Sequence, residues 1–173
     1  MGGKVIQTAV PLVADSMVFL HFGFVGKFPE FLSWFDPLLA TTPAVVKEVK
    51  RNTNKNAAFG VIDLEESCRN GLLTLRGLSS SDETTLYHGY FNQRFGKKIF
   101  GPGEASCLAA SLANHWGLIC EEKEVLEEFK SEKTKMGFNA PAYTPRQVIN
   151  LAANKGIITE SDAISIKTGF LFE

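Results

Sequence analysis

GPGEASCLAASLANHWGLICEE, Gly101 to Glu122, combines a structural and a chemical signal. Pro102 suits the first turn of a helix, where its missing N–H costs nothing, and Ala105, Leu108, Ala109, Leu112, Ala113 and Trp116 then recur at helical spacing. The pattern predicts one amphipathic helix, closed by Gly117 in a left-handed cap and followed by a buried strand of Leu118, Ile119 and Cys120. Carboxylates stand at both ends: Glu104 in the first helical turn, Glu121 and Glu122 just past the strand. In an open α/β sheet, ligands bind outside the carboxyl ends of the strands, where the following helices begin. Each acid also has a plainer explanation. Glu104 would complement the helix dipole for about 0.3–1 kcal/mol, and Glu121 and Glu122 open an exposed acidic run, EEKEVLEEFK.

Upstream, Val5 to Ala14 is apolar and β-branched, and Pro11 to Ala14 is the expected core strand. Asp15 ends it, and Ser16 is placed to cap the apolar helix Met17 to Phe22. Asp15 is therefore either a turn residue or a metal ligand at a strand's carboxyl end. Phe28, Phe31, Leu32 and Phe35 have the spacing of a short helix, while Phe22, Phe24 and Trp34 are candidates for a homodimer face. Thr42-Pro43 reads as an N-cap followed by proline at the first helical position. In the helix AVVKEVKR, Glu48 falls at the edge of the apolar face, and Lys47, Lys50 and Arg51 take the outer side.

Val61 to Arg69 and Gly71 to Leu78 predict a helix and a short strand, and an S-x-x-E capping box opens the helix Glu83 to Phe95. That helix ends in a basic turn containing Arg94 and Lys97, which either complements the helix dipole or faces phosphate. Beyond Glu122 come a charged helix, Glu124 to Met136, and the helix RQVINLAANKG, capped by threonine and closed by glycine. The ending TESDAISIKTGFLFE carries no clear pattern.

Composition narrows the classes. With 173 residues, 45% hydrophobic and 21% charged, the expectation is one globular domain over residues 1–173. The 18 basic and 19 acidic residues leave a net charge of −1, so nucleic acid would have to be met by local basic patches. Cys68, Cys107 and Cys120 form no C-x-x-C pair, and His21, His88 and His115 have no ligand spacing, which argues against zinc and disulfides. No apolar run approaches the roughly 18 residues of a membrane helix, and no secretory signal pattern is present. A reduced, cytoplasmic setting without membrane contact is the expectation.

Four apolar segments, each followed by a helical pattern, predict a three-layer α/β domain whose mainly parallel central sheet is flanked by helices. Asp15, Glu48, Glu104 and Glu121 would then face one crevice. Carboxylates gathered without a counterion repel one another, so Mg²⁺ or Mn²⁺ is their natural partner, and a metal-activated water suits phosphodiester hydrolysis.

Taken in order, the strand ending in Asp15-Ser16, TTPAVVKE with Glu48, GPGEASCLAAS with Glu104 and LICEE resemble the PIN-domain family. The exit Lys155-Gly156-Ile157-Ile158 and the late Gly169-Phe170 extend the similarity over most of the chain. The resemblance implies a sheet order of 3-2-1-4-5 and a metal-dependent endoribonuclease, often the toxin of a toxin–antitoxin pair and frequently a dimer. Asp15, Glu48 and Glu104 match the first three acids of the family pattern. The fourth is usually aspartate, and Glu121 or Glu122 stands in its place. Ser16 would orient Asp15 or a metal-bound water, and Lys47, Lys50, Arg51, Arg94 and Lys97 would steer RNA phosphates. A PIN-like binding module of weak or absent catalysis, acting through nucleic acid or a protein partner, is the alternative. A doubly wound phospho-ligand binder lacks its glycine-rich loop.

Overall fold

The computed structural model describes residues 3–92 and 99–170. Among them the strands are β1 (Ile6–Gln7), β2 (Leu12–Ala14), β3 (Phe35–Asp36), β4 (Ala40–Thr41), β5 (Thr74–Leu75), β6 (Gly117–Ile119) and β7 (Ala142–Tyr143). Helices α1 (Ser16–Phe24), α2 (Phe28–Leu32), α3 (Pro43–Lys55), α4 (Leu64–Arg69) and α5 (Ser81–Asn92) fill the first half. The second half holds α6 (Pro102–Asn114), α7 (Lys123–Met136), α8 (Pro145–Asn154) and α9 (Glu160–Gly169). Five strands form one sheet in the order β5-β4-β2-β6-β7, with every pairing parallel, while β1 and β3 make a separate parallel pair. The class is thus α/β with a mainly parallel sheet, consistent with a three-layer architecture. No helix among the described residues is long and apolar enough to cross a membrane.

Strand β2 sits at the centre because Leu12, Val13 and Ala14 are apolar without interruption and fully buried, as a parallel strand covered on both faces must be. Its neighbour β6 lies in register, Leu12 opposite Gly117 and Ala14 opposite Ile119. This pairing corrects the reading of Gly117. A Cβ there would stand 2.4 Å from Leu12 Cδ2 and 2.7 Å from the Pro141 carbonyl oxygen, so glycine is required by close approach inside the sheet. The left-handed cap of α6 is His115, with a φ of 57°.

Helix α6 is also less one-sided than expected. Gly103 and the whole run Ala105 to Leu112 are buried, because glycine, alanine, serine and cysteine let α3, α5, α7 and β2 all pack closely on it. Two of the three aromatics assigned to a homodimer face belong to the core: Phe22 is fully buried and stacks on Phe31 at 3.9 Å between ring centroids, and Trp34 is buried beside both. Of the three, Phe24 alone is exposed. Phe35, expected in a helix, turns into β3.

The starts of α3 and α6 are tied together. Thr42 caps α3 by accepting from the Val45 N–H, and its Oγ1 lies 2.6 Å from Ser106 Oγ. Ser106 in turn donates to the Gly103 carbonyl, so Thr42 is the donor between the two hydroxyls. Thr41 Oγ1 donates to the Ala14 carbonyl across the strand ends. These buried bonds bring the end of β2, the start of α3 and the start of α6 to one place.

Candidate functional site

The sheet order reverses between β2 and β6: the chain builds outward from β2 through β4 to β5, then returns to β6 and continues to β7. The crevice at such a switch point, outside the carboxyl ends of the strands, is where open α/β sheets hold ligands. Asp15 follows β2 directly and is 3% exposed. It is Asp15, not Ser16, that caps α1: its backbone stays extended, and its Oδ1 accepts the Ser16 N–H at 2.7 Å. Ser16 is the first helical residue and is buried.

Burial is the main force that raises the Asp15 carboxyl to a pKa of about 7. The Ser16 N–H opposes it, and the charges of Glu104 and Glu48 add to it. Glu104, half-buried in the first turn of α6, is also raised, first by burial and then by the charges of Glu122, Glu48 and Glu124. Glu48 reaches from α3 to the start of α6, where its Oε1 accepts the Gly103 N–H at 2.9 Å. A Cβ on Gly103 would lie 2.5 Å from Glu48 Oε2, so glycine makes room for this carboxylate. The charges of Glu48 and Glu104 therefore act on Asp15 at the carboxyl end of the sheet.

The two acids after β6 go different ways. Glu122 is exposed at the start of α7, and its charge acts on Glu104. Glu121 turns toward α1, where its Oε2 is 3.3 Å from Nε2 of the buried His21. Arg146 of α8 adds positive charge to that neighbourhood, opposing the upward push of burial on Glu121. His21 is held down to about 4, chiefly by burial and then by Arg146, so it is neutral at physiological pH.

Sequence reading missed three members of this neighbourhood. Glu124, in the first turn of α7, adds negative charge near Glu104. Cys120 and Cys107 place their sulfurs 3.6 Å and 4.0 Å from the two Asp15 carboxylate oxygens. Burial, reinforced by the Asp15 charge, pushes both thiols well above the usual thiol range. Strand pairing was the available signal for Cys120, because residues that follow two adjacent in-register parallel strands are neighbours.

Carboxylate oxygens are the ligands a hard divalent cation takes, so the donor chemistry fits Mg²⁺ or Mn²⁺. No group of three His, Cys, Asp or Glu side chains among the described residues is gathered closely enough to hold a metal ion.

Of the basic residues, Lys47 and Lys50 line a groove of about 570 Å³ between α3, α4 and β5. Arg69, which sequence reading passed over, joins them there, and Pro43, Val46 and Leu75 supply an apolar floor. Lys50 Nζ lies 4.0 Å from Glu65 Oε1. Arg51 is exposed on α3, and Arg94 and Lys97 lie outside the described residues. No protein-family model matches the chain, and no curated protein matches it.

Proposed function

We propose that the chain is a metal-dependent endoribonuclease of the PIN type, with its site at the carboxyl ends of β2 and β6. What supports this reading is that Asp15, Glu48 and Glu104 come from three separate elements to the carboxyl end of the sheet, near enough that the charges of Glu48 and Glu104 add to the burial that raises Asp15. The sheet order supports it: ranked along the chain within the five-stranded sheet, β5-β4-β2-β6-β7 reads 3-2-1-4-5. Three free cysteines agree with a reduced, cytoplasmic setting.

Asp15 and Glu104 would hold Mg²⁺ or Mn²⁺, with Glu48 and Glu122 placed to bind it through water. The bound ion supplies a water of lowered pKa and stabilises charge on the scissile phosphate. Asp15 is prepared for this by being buried, with Oδ1 accepting the Ser16 N–H. Glu48 is held against the α6 N-terminus by the Gly103 N–H. Glu122 takes the fourth acid position, and Glu121 serves the His21 contact. Lys47, Lys50 and Arg69 present three cations against Glu65 and would guide RNA phosphates, giving cleavage a steep salt dependence.

A binding module without catalysis is the second reading, favoured by the absence of a close three-ligand group among the described residues and by the Gly103 bond that already occupies Glu48. Incubation with labelled RNA and Mg²⁺ or Mn²⁺ separates the two. Metal-dependent cleavage that disappears in Asp15→Asn supports the nuclease. RNA retention without cleavage supports the module, and cleavage that survives the substitution marks a contaminant.

A further inference from the structure

The site described above leaves two buried thiols without a task, and both rest on its central carboxylate. Cys120 Sγ lies 3.6 Å from Asp15 Oδ2, and Cys107 Sγ lies 4.0 Å from Oδ1 and 3.8 Å from the Ala14 carbonyl oxygen. A buried free cysteine is ordinarily an inert small hydrophobe. That role explains burial, but not the arrival of two thiols from different elements at one carboxylate, one at each oxygen. Their placement follows from the fold. The Ala14–Ile119 register puts the residue after β6 beside the residue after β2, and Cys107 stands one helical turn beyond Glu104 on α6.

We propose that Cys120 is a positioning residue for Asp15. Its S–H donates toward Oδ2 at 3.6 Å while the Ser16 N–H holds Oδ1 at 2.7 Å, so rotation of the carboxylate plane is opposed from both sides, and the Cys107 S–H, whose nearer acceptor is the Ala14 carbonyl oxygen, packs beside the group. Thiols suit this task because they are weak donors. They orient the group while drawing little of the negative charge a cation needs, whereas stronger donors on both oxygens would compete with it.

Infrared spectroscopy of the full chain reads this contact directly, because the S–H stretch lies in a region clear of other protein bands and rises in frequency as its hydrogen bond weakens. Asp15→Asn keeps the helix cap on its amide oxygen and puts an NH₂ group, which cannot accept, where Oδ2 faces Cys120. The band of Cys120, assigned by serine substitution, is expected to shift upward, while that of Cys68 on α4 stays in place. An unmoved Cys120 band would overturn the proposal whether or not the chain cleaves RNA.

A second readout rests on the nuclease reading, in which Asp15 holds the cation. Calorimetric Mn²⁺ affinity should fall about 10-fold in Cys120→Ala, the range expected for losing a group that orients a metal ligand. Cys120→Ser, which retains a donor but a stronger one, should recover part of the loss. Equal losses in both variants would contradict positioning. A wild-type chain that binds no Mn²⁺ would instead refute the nuclease reading, leaving the infrared shift to decide the role of Cys120.

Discussion

Asp15 caps α1 as a neutral residue would, yet its carboxylate sits buried beside other acids. Its pKa rises from 3.8 to about 7, so folding favours the protonated form. Stability tied to this group is therefore intact below about pH 4 and is lost as pH rises toward 7. Asp15→Asn preserves the cap and removes the buried charge. It should stabilise the metal-free chain by about 2–4 kcal/mol at pH 8 and by almost nothing at pH 3, as read by urea denaturation at the two pH values. No gain at pH 8 would mean that the Asp15 charge is compensated in the folded protein. Glu121 marks the limit of sequence reading at this scale. Side chains alternate in direction along an extended segment, so the pair EE says that one acid faces the crevice but not which one. The contact with His21, one hundred residues away, turns Glu121 toward α1.

At the scale of elements, Glu83 shows how far a local signal reaches. The S-x-x-E box is legible and forms, with Ser80 Oγ accepting the Glu83 N–H and Glu83 Oε1 accepting the Ser80 N–H. The same carboxylate, fully buried, is also held by Arg76 at 2.7 Å and by Asn114, which joins α5 and α6 to the loop after β5. Burial alone would raise this acid, but the Arg76 pair, Ser80 and Asn114 together hold it down to about 2. Its contribution is present above its ordinary value of 4.5 and is lost as pH falls toward 2. Arg76→Ala strands the charge and should cost about 3 kcal/mol or more in chemical denaturation at pH 7; a change below about 1 kcal/mol would show the pair to be dispensable.

Two glycines separate stability from function. Gly117→Ala pushes a methyl into Leu12 and the Pro141 carbonyl, and should destabilise by about 1–3 kcal/mol as the central strands shift. In Gly103→Ala the obstacle is the end of the flexible Glu48 side chain. Thermal stability should change little, because better helix propensity offsets the displaced cap by about 1 kcal/mol, while RNA cleavage falls. Equal stability losses in the two variants would contradict the assignment of Gly103 to the site.

At the scale of the whole molecule, the sequence disclosed the strands that end in acids and the helices that begin with proline, because those signals are local. The central strand, the Thr42 cap of α3 and the start of α6 lie where the residues place them. Strand β7 did not announce itself: two residues between prolines at 141 and 145 carry no periodicity, and it exists through pairing with β6. Helix α9 was hidden by a mixed pattern, although its Thr159–Asp162 capping box is local. The burial of α6 on nearly all sides came from neighbours distant in sequence, as did the groove that gathers Arg69 with Lys47 and Lys50.

The central claim is that the acids around the β2–β6 switch point act together on RNA. Initial rates of Mn²⁺-dependent cleavage of one labelled RNA, compared across wild type, Asp15→Asn, Glu122→Gln and Glu121→Gln, test it most directly. Asp15→Asn should lose about 100-fold or more, equivalent to several kcal/mol of transition-state stabilisation. Glu122→Gln should lose clearly, and Glu121→Gln should stay close to wild type. Wild-type protein without metal-dependent cleavage, or a rate unchanged by Asp15→Asn, would contradict the account.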